Sequence, residues 1–130
     1  MNKPVIVCVD DEADILNTLK MQLKNEFKDN YFYELAESGD EALEVIEAFQ
    51  EEDQVIVVVS DWLMPGIKGD ELLMIIHQKH PKIVKVMLTG QADTAAIQRA
   101  VKHADLYCCL YKPWKGEDLI KTIKSGLAKL

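Results

Sequence analysis

Two stretches of this chain, Val5-Ile6-Val7-Cys8-Val9 and Val55-Ile56-Val57-Val58-Val59, are wholly apolar and mostly β-branched. A strand with one wet face alternates polar and apolar residues. A strand that does not alternate is covered on both faces, as in a parallel sheet between two helix layers. These two runs therefore restrict the fold more than any other feature.

The rest of the chain supplies the helices such a sheet needs. After Asp10-Asp11-Glu12, apolar residues recur at Ile15, Leu16, Leu19, Leu23 and Phe27, which is helical spacing. Tyr31 to Glu37 reads as a less apolar strand at an edge. Ser38-Gly39-Asp40-Glu41 is a capping box ahead of a helix bearing Leu43, Ile46 and Phe49. Gln54 to Ser60 is the third strand, ended by Asp61. Trp62 to Gly69 is a loop broken by Pro65, Gly66 and Gly69. Asp70 to Lys79 is a short helix ended before Pro81, and Ile83 to Leu88 the fourth strand, followed by Thr89-Gly90. Asp93 or Thr94 caps a helix carrying Ile97, Ala100, Val101 and Ala104. Leu106 to Tyr111 is the fifth strand, and Trp114 to Leu130 the last helix. Strict alternation of strand and helix predicts an α/β, flavodoxin-like, doubly wound five-stranded parallel sheet. The order 2-1-3-4-5 puts the most apolar strands in the middle. The 130 residues read as one domain, 1–130, with no repeat or linker.

Charge narrows the function. The net charge is −7, which argues against direct nucleic-acid binding, since phosphate contacts need a basic footprint. No apolar run approaches the ~20 residues that span a bilayer, and the N-terminus lacks a signal-peptide layout, so no membrane is expected. Three cysteines, two of them adjacent, form no disulfide framework and point to a reducing cytoplasm. Residues 1–61 hold 16 acids and 4 bases. Most of those acids read as a solvated helix face. Asp10, Asp11 and Asp61 differ because they end apolar runs.

In an open α/β sheet, ligands bind at the carboxyl edge of the strands, near the switch point in strand order. For this order the point lies between strands one and three. Asp10, Asp11 and Asp61 converge there, joined by Thr89 from strand four and Lys112 from strand five. Three carboxylates together repel unless a cation joins them. All the candidate ligands are oxygens, which suits Mg2+. An aspartate can also act as a nucleophile and become an aspartyl phosphate. A divalent cation, an ammonium and a hydroxyl then stabilise the charge of phosphoryl transfer.

At these residues the chain resembles the receiver domains of bacterial two-component response regulators. The resemblance runs from Val5 to about Leu127. It rests on Val9-Asp10-Asp11-Glu12, Ser60-Asp61-Trp62-Leu63-Met64-Pro65-Gly66, Leu88-Thr89-Gly90 and Tyr111-Lys112-Pro113-Trp114. It implies that Asp61 is the phosphoacceptor, supplied by the phosphohistidine of a sensor histidine kinase or phosphotransfer protein. It further implies that Asp11 is a direct Mg2+ ligand, that Asp10 holds a metal-bound water, and that the Leu63 carbonyl is a backbone ligand. Lys112 would pair with Asp61 or its phosphate, Thr89 would move to the phosphate on switching, and Lys112–Pro113 would be cis. The altered surface would be helix four, strand five and helix five, read by an output protein or a fused output domain. Receivers also form homodimers through the last helix. A bacterial cytoplasmic location follows from the same resemblance.

Some positions depart from the family pattern. Cys109 stands where a rotating Tyr or Phe is usual, and Tyr107 and Tyr111 are expected on its face of the strand. Gly66-Ile67-Lys68-Gly69 carries a base where an acid is frequent. Leu63 and Gln91 occupy positions that tune phosphate lifetime. The Tyr-Lys-Pro-Trp run resembles receivers fused to metal-dependent phosphodiesterase domains or other large outputs. Other readings are weaker. A flavodoxin-like electron carrier would not place Asp10-Asp11-Glu12 in its phosphate loop, and no glycine-rich nucleotide motif occurs. A haloacid-dehalogenase-type phosphohydrolase places its acids as Asp-x-Asp, whereas here they are adjacent. A degenerate receiver acting as a phosphorylation-independent binding module would normally have lost one of the five residues. His77 and His80 read as a solvated helix end rather than a metal site, His103 as a helix terminus, and Cys108 and Cys109 as strand packing.

Overall fold

The computed structural model describes residues 3–49, 54–90 and 94–130. Five strands, β1 (Val5–Val9), β2 (Phe32–Ala36), β3 (Val55–Asp61), β4 (Val84–Thr89) and β5 (Cys108–Tyr111), alternate with five helices. The helices are α1 (Ala13–Phe27), α2 (Gly39–Ala48), α3 (Gly69–Lys79), α4 (Thr94–Ala104) and α5 (Gly116–Leu127), with a short 3-10 turn at Lys28–Asn30. The sheet is parallel with order β2-β1-β3-β4-β5, as the sequence predicts.

The apolar runs are buried because each strand serves two cores. Val5, Val7 and Val9 face α2, α3 and α4, where Ala42, Ile46, Leu72, Leu73, Ala96 and Ala100 complete one core. Ile6 and Cys8 face α1 and α5, where Leu16, Leu19, Leu23, Leu119 and Ile123 complete the other. In β3 the alternation is interrupted: Val55 and Val58 share the first core, and Val57 and Val59 the second. The register with β1 shifts between Val5 and Ile6, so Val5 pairs with Val55 but Ile6 with Val57. The extra residue, Ile56, resets which side chains face which layer.

Local chemistry sets the helix starts. Ser38 Oγ accepts the Glu41 N–H at 3.1 Å, which is the Ser38 half of the capping box read from the sequence. Ser38→Ala should therefore cost about 1 kcal/mol in urea unfolding. The alternative α4 cap, Asp93, lies outside the described residues, as does Gln91.

Several expectations are corrected. The last helix spans Gly116–Leu127, not Trp114–Leu130. The Trp114 indole N–H donates to Gln22 Oε1 on α1 at 2.8 Å, which holds Trp114 in the preceding loop. β5 begins at Cys108 rather than Leu106. Tyr107 consequently does not share the face of Cys109. Cys109 packs toward α2, α3 and α4, whereas Tyr107 packs on the α5 side, with its hydroxyl against Ser125 and its ring beside Gly126. Lys85, inside the apolar fourth strand, is 1% exposed. Its ammonium donates to the Ile83 carbonyl at 2.7 Å, and burial lowers its pKa against the opposing pull of Asp105.

Candidate functional site

Parallel strands all present their carboxyl ends at one edge, and there the predicted residues meet. Asp10 follows β1 and is fully buried. Its Oδ1 accepts the Glu12 N–H at 2.9 Å, so one oxygen turns the chain into α1 and the other faces the crevice. Asp61 ends β3 and is 6% exposed, and Thr89 ends β4 and is also buried. Asp11 is exposed at the rim. Leu63, Gly90 and Lys112 line the same crevice as Asp11, Asp61 and Thr89.

Lys112 is the positive centre of the site. Its Nζ lies 2.9 Å from Asp10 Oδ2 and 3.2 Å from Asp61 Oδ1, bridging the carboxylates of two neighbouring strands. The Lys112 N–H donates to the Thr89 carbonyl at 2.8 Å, tying its backbone to β4. The Lys112–Pro113 peptide is cis, as the resemblance implies.

The electrostatics follow from burial and proximity. Burial raises the Asp61 pKa above the ordinary aspartate value, and the charge of Asp10 raises it further. The charge and hydrogen bond of Lys112 and a backbone N–H oppose this without cancelling it. Burial alone would lower the pKa of Lys112, but its hydrogen bond to Asp10 and the charges of Asp61 and Asp10 raise it. Each of Asp10, Asp11 and Asp61 places one carboxylate oxygen within 4.8 Å of the others. One lysine does not compensate three acids, and an all-oxygen cluster of this size suits a hard divalent cation.

The β3–α3 loop closes over this edge. Gly66 adopts a φ of 79°, which only glycine takes without strain, and turns the chain after Pro65. The loop returns so closely that the Gly69 N–H donates to the Trp62 carbonyl at 2.8 Å.

A family model for the response regulator receiver domain matches residues 6–124. The chain belongs to that family. It is 32% identical over 129 residues to the transcriptional regulatory protein ResD of Bacillus subtilis, covering 98% of this chain and 50% of that protein. It is 30% identical over 122 residues to the hydrogenase transcriptional regulatory protein HoxA of Cupriavidus necator, covering 94% of this chain and 24% of that protein. The receiver thus spans a quarter to a half of the length of these curated relatives. Among solved structures, the signal receiver domain of an HD domain-containing protein from Pseudomonas fluorescens Pf-5 superposes with a TM-score of 0.88 at 28% identity. That match covers 98% of this chain and 97% of the other.

The receiver brings Asp10, Asp11, Asp61, Leu63, Thr89 and Lys112 to one crevice. His77 and His80 join no such cluster: among the described residues the three aspartates form the one group of metal-ligating type, and His80 lies 3.7 Å from Glu47. Cys8 is buried, which pushes its thiol up to about 12 and leaves it a packing residue. Among the described residues no helix is long and apolar enough to cross a membrane. Asp70 escaped the sequence reading. It is buried against Trp62 and Arg99, although in sequence it resembles any first-turn acid.

Proposed function

We propose that this receiver is a phosphorylation-dependent switch in which Asp61 accepts a phosphoryl group. The observation that carries the reading is the Lys112 ammonium bridging Asp10 and Asp61 at the floor of an open crevice. The donor is the phosphohistidine of a sensor histidine kinase or phosphotransfer protein. A carboxylate oxygen of Asp61 attacks phosphorus and an O–P bond forms. The N–P bond of the phosphohistidine breaks, and the imidazole nitrogen keeps the electron pair.

The chain's own groups favour this step. Lys112 holds the Asp61 carboxylate in place and offers its positive charge to the phosphoryl oxygens, and Thr89 offers its hydroxyl at the neighbouring strand end. Asp10, Asp11, Asp61 and the Leu63 carbonyl would hold Mg2+, which supplies charge neutralisation for the transferred group. Phosphorylation changes the surface of α4, β5 and α5, where Val101 and Tyr111 already stand exposed. An output protein, a fused output domain or a second copy of the receiver reads that surface in a bacterial cytoplasm. The relatives carry this region within longer regulatory proteins, and the Pseudomonas neighbour comes from an HD domain-containing protein.

Intact-mass spectrometry after incubation with acetyl phosphate tests the reading. A single phosphoryl adduct should form only with Mg2+ present and only when Asp61 is intact, with Asp61→Asn as the control. If no adduct forms, beryllofluoride with Trp62 fluorescence distinguishes rapid hydrolysis from absence of the chemistry. Silence in both would overturn the switch in favour of a phosphorylation-independent binding module.

A further inference from the structure

Asp70 opens α3, and acids in a helix's first turn normally face water, where they favour the helix dipole. Glu117 and Asp118 of α5 do so. Asp70 instead turns inward and is 2% exposed. Each of its oxygens has a donor from a different element. The Trp62 indole N–H donates to Oδ1 at 3.1 Å, and Arg99 Nε of α4 donates to Oδ2 at 3.1 Å. A carboxylate is rarely buried so deeply without such partners.

The two partners sit at opposite ends of the proposed switch. Trp62 directly follows Asp61, and its backbone N–H donates to the carbonyl of Leu88, the residue before Thr89, at 2.9 Å. Arg99 lies in the middle of α4, and its side chain is 51% exposed. The ring that the family uses between Thr89 and this face is replaced by Cys109, and Tyr107 packs on the other side of the sheet. A side chain that joins the phosphoacceptor segment directly to α4 therefore has particular consequence in this chain.

We propose that Asp70 is the joint through which the state of Asp61 reaches α4. Its bond to Arg99 holds α4 in the resting position, and its bond to Trp62 lets movement of the Asp61 strand end release that hold. Asp70 and Arg99 are positioning residues in this account and touch no phosphoryl group. The inference rests on the phosphoacceptor reading of Asp61.

Hydrogen exchange of the α4 amides, with and without Mg2+ and beryllofluoride, tests it alongside intact mass with acetyl phosphate. In the wild type, beryllofluoride should change α4 exchange. In Arg99→Gln, resting α4 should exchange about tenfold faster, since an ion-paired hydrogen bond is lost, and the beryllofluoride response should fall below half. Arg99→Lys should restore most of both. Asp70→Asn should reproduce Arg99→Gln; should it fail to fold, the half-exposed Arg99 variants carry the test. All folded variants should still take the phosphoryl adduct. A faster resting α4 with an undiminished beryllofluoride response would make Asp70 a simple anchor and overturn the joint. A wild type that takes the adduct while α4 stays unchanged would overturn the joint and leave the phosphoacceptor standing. A wild type that shows neither an adduct nor any response to beryllofluoride would overturn both.

Discussion

Asp61→Asn should take up no phosphoryl group and yet, in chelator at neutral pH, should unfold at a higher temperature than the wild type. Asp61 is buried beside a second buried carboxylate, Asp10, and the two causes together raise its pKa despite Lys112. A raised carboxylate pKa means that the folded state binds the proton more tightly than the unfolded chain does. Below the ordinary aspartate value both states are protonated, and Asp61 costs nothing. As pH rises from there to the raised folded value, the unfolded chain loses its proton first and unfolding gains. Above the raised value the full penalty is present. Asparagine keeps the shape and removes the charge. We expect a gain of about 1 kcal/mol, or a rise in midpoint of about 3–6 °C in a domain of this size.

The same arithmetic gives two internal controls. The advantage of Asp61→Asn should shrink as pH falls toward the ordinary aspartate range, where the wild type also carries a neutral group. Mg2+ should reverse it, because a ligand bound only by the folded state stabilises by about 2.7 kcal/mol at a hundredfold excess over its dissociation constant. The wild type has all three carboxylates to hold the cation, and the variant has lost one. Thermal unfolding of both proteins, with chelator and with saturating Mg2+, reads these shifts. Coincident midpoints in both conditions would show that Asp61 is neither strained nor a ligand. Lys112 works in the opposite sense. Its folded pKa is raised, so the stability it contributes is present below the ordinary lysine value and is lost as pH rises through the raised one.

The parts legible in the sequence share one physical cause. A parallel strand buried on both faces takes a polar residue only where that residue finds a partner, so β1 and most of β3 stand out as apolar runs, and a charged residue is conspicuous where such a run ends. That is why Asp10, Asp61, Thr89 and Lys112 could be placed at one sheet edge from residue types alone, and why the strand order followed. The parts not legible depend on which way one side chain turns. Asp70 and Asp118 are both acids in the first turn of a helix, yet Asp70 is buried by Trp62 and Arg99 and Asp118 is exposed. Lys85 fits an apolar strand because its stem packs while its ammonium reaches the carbonyl of Ile83. Tyr107 misled because period-two alternation holds only inside a paired strand, and β5 starts one residue later. Of the two tyrosines considered near Cys109, Tyr111 is the one beside the site, paired in register with Thr89.

Gly69→Ala should be among the most damaging single changes outside the charged cluster. The reason is space rather than backbone angle. A Cβ at residue 69 would lie 2.2 Å from the Asp61 carbonyl oxygen and 2.8 Å from Trp62 Cα. Both are backbone atoms, so no flexible side chain can yield. Either the loop lifts and stretches the Gly69 N–H bond to Trp62, or the end of β3 moves. Overpacking of a rigid neighbourhood costs typically 1–3 kcal/mol, and this contact belongs at about 3 kcal/mol. Urea unfolding should show a lower midpoint with an unchanged slope. Gly90→Ala is the matched control, since a Cβ there meets nothing within 4 Å. The chemistry should suffer as well, because displacement of a reacting group by about 1 Å can cost on the order of a hundredfold in rate. Gly69→Ala should therefore slow phosphorylation by acetyl phosphate at temperatures where the variant is still folded. A variant as stable as the wild type that is phosphorylated at the same rate would mean that the close return of the loop does not position Asp61.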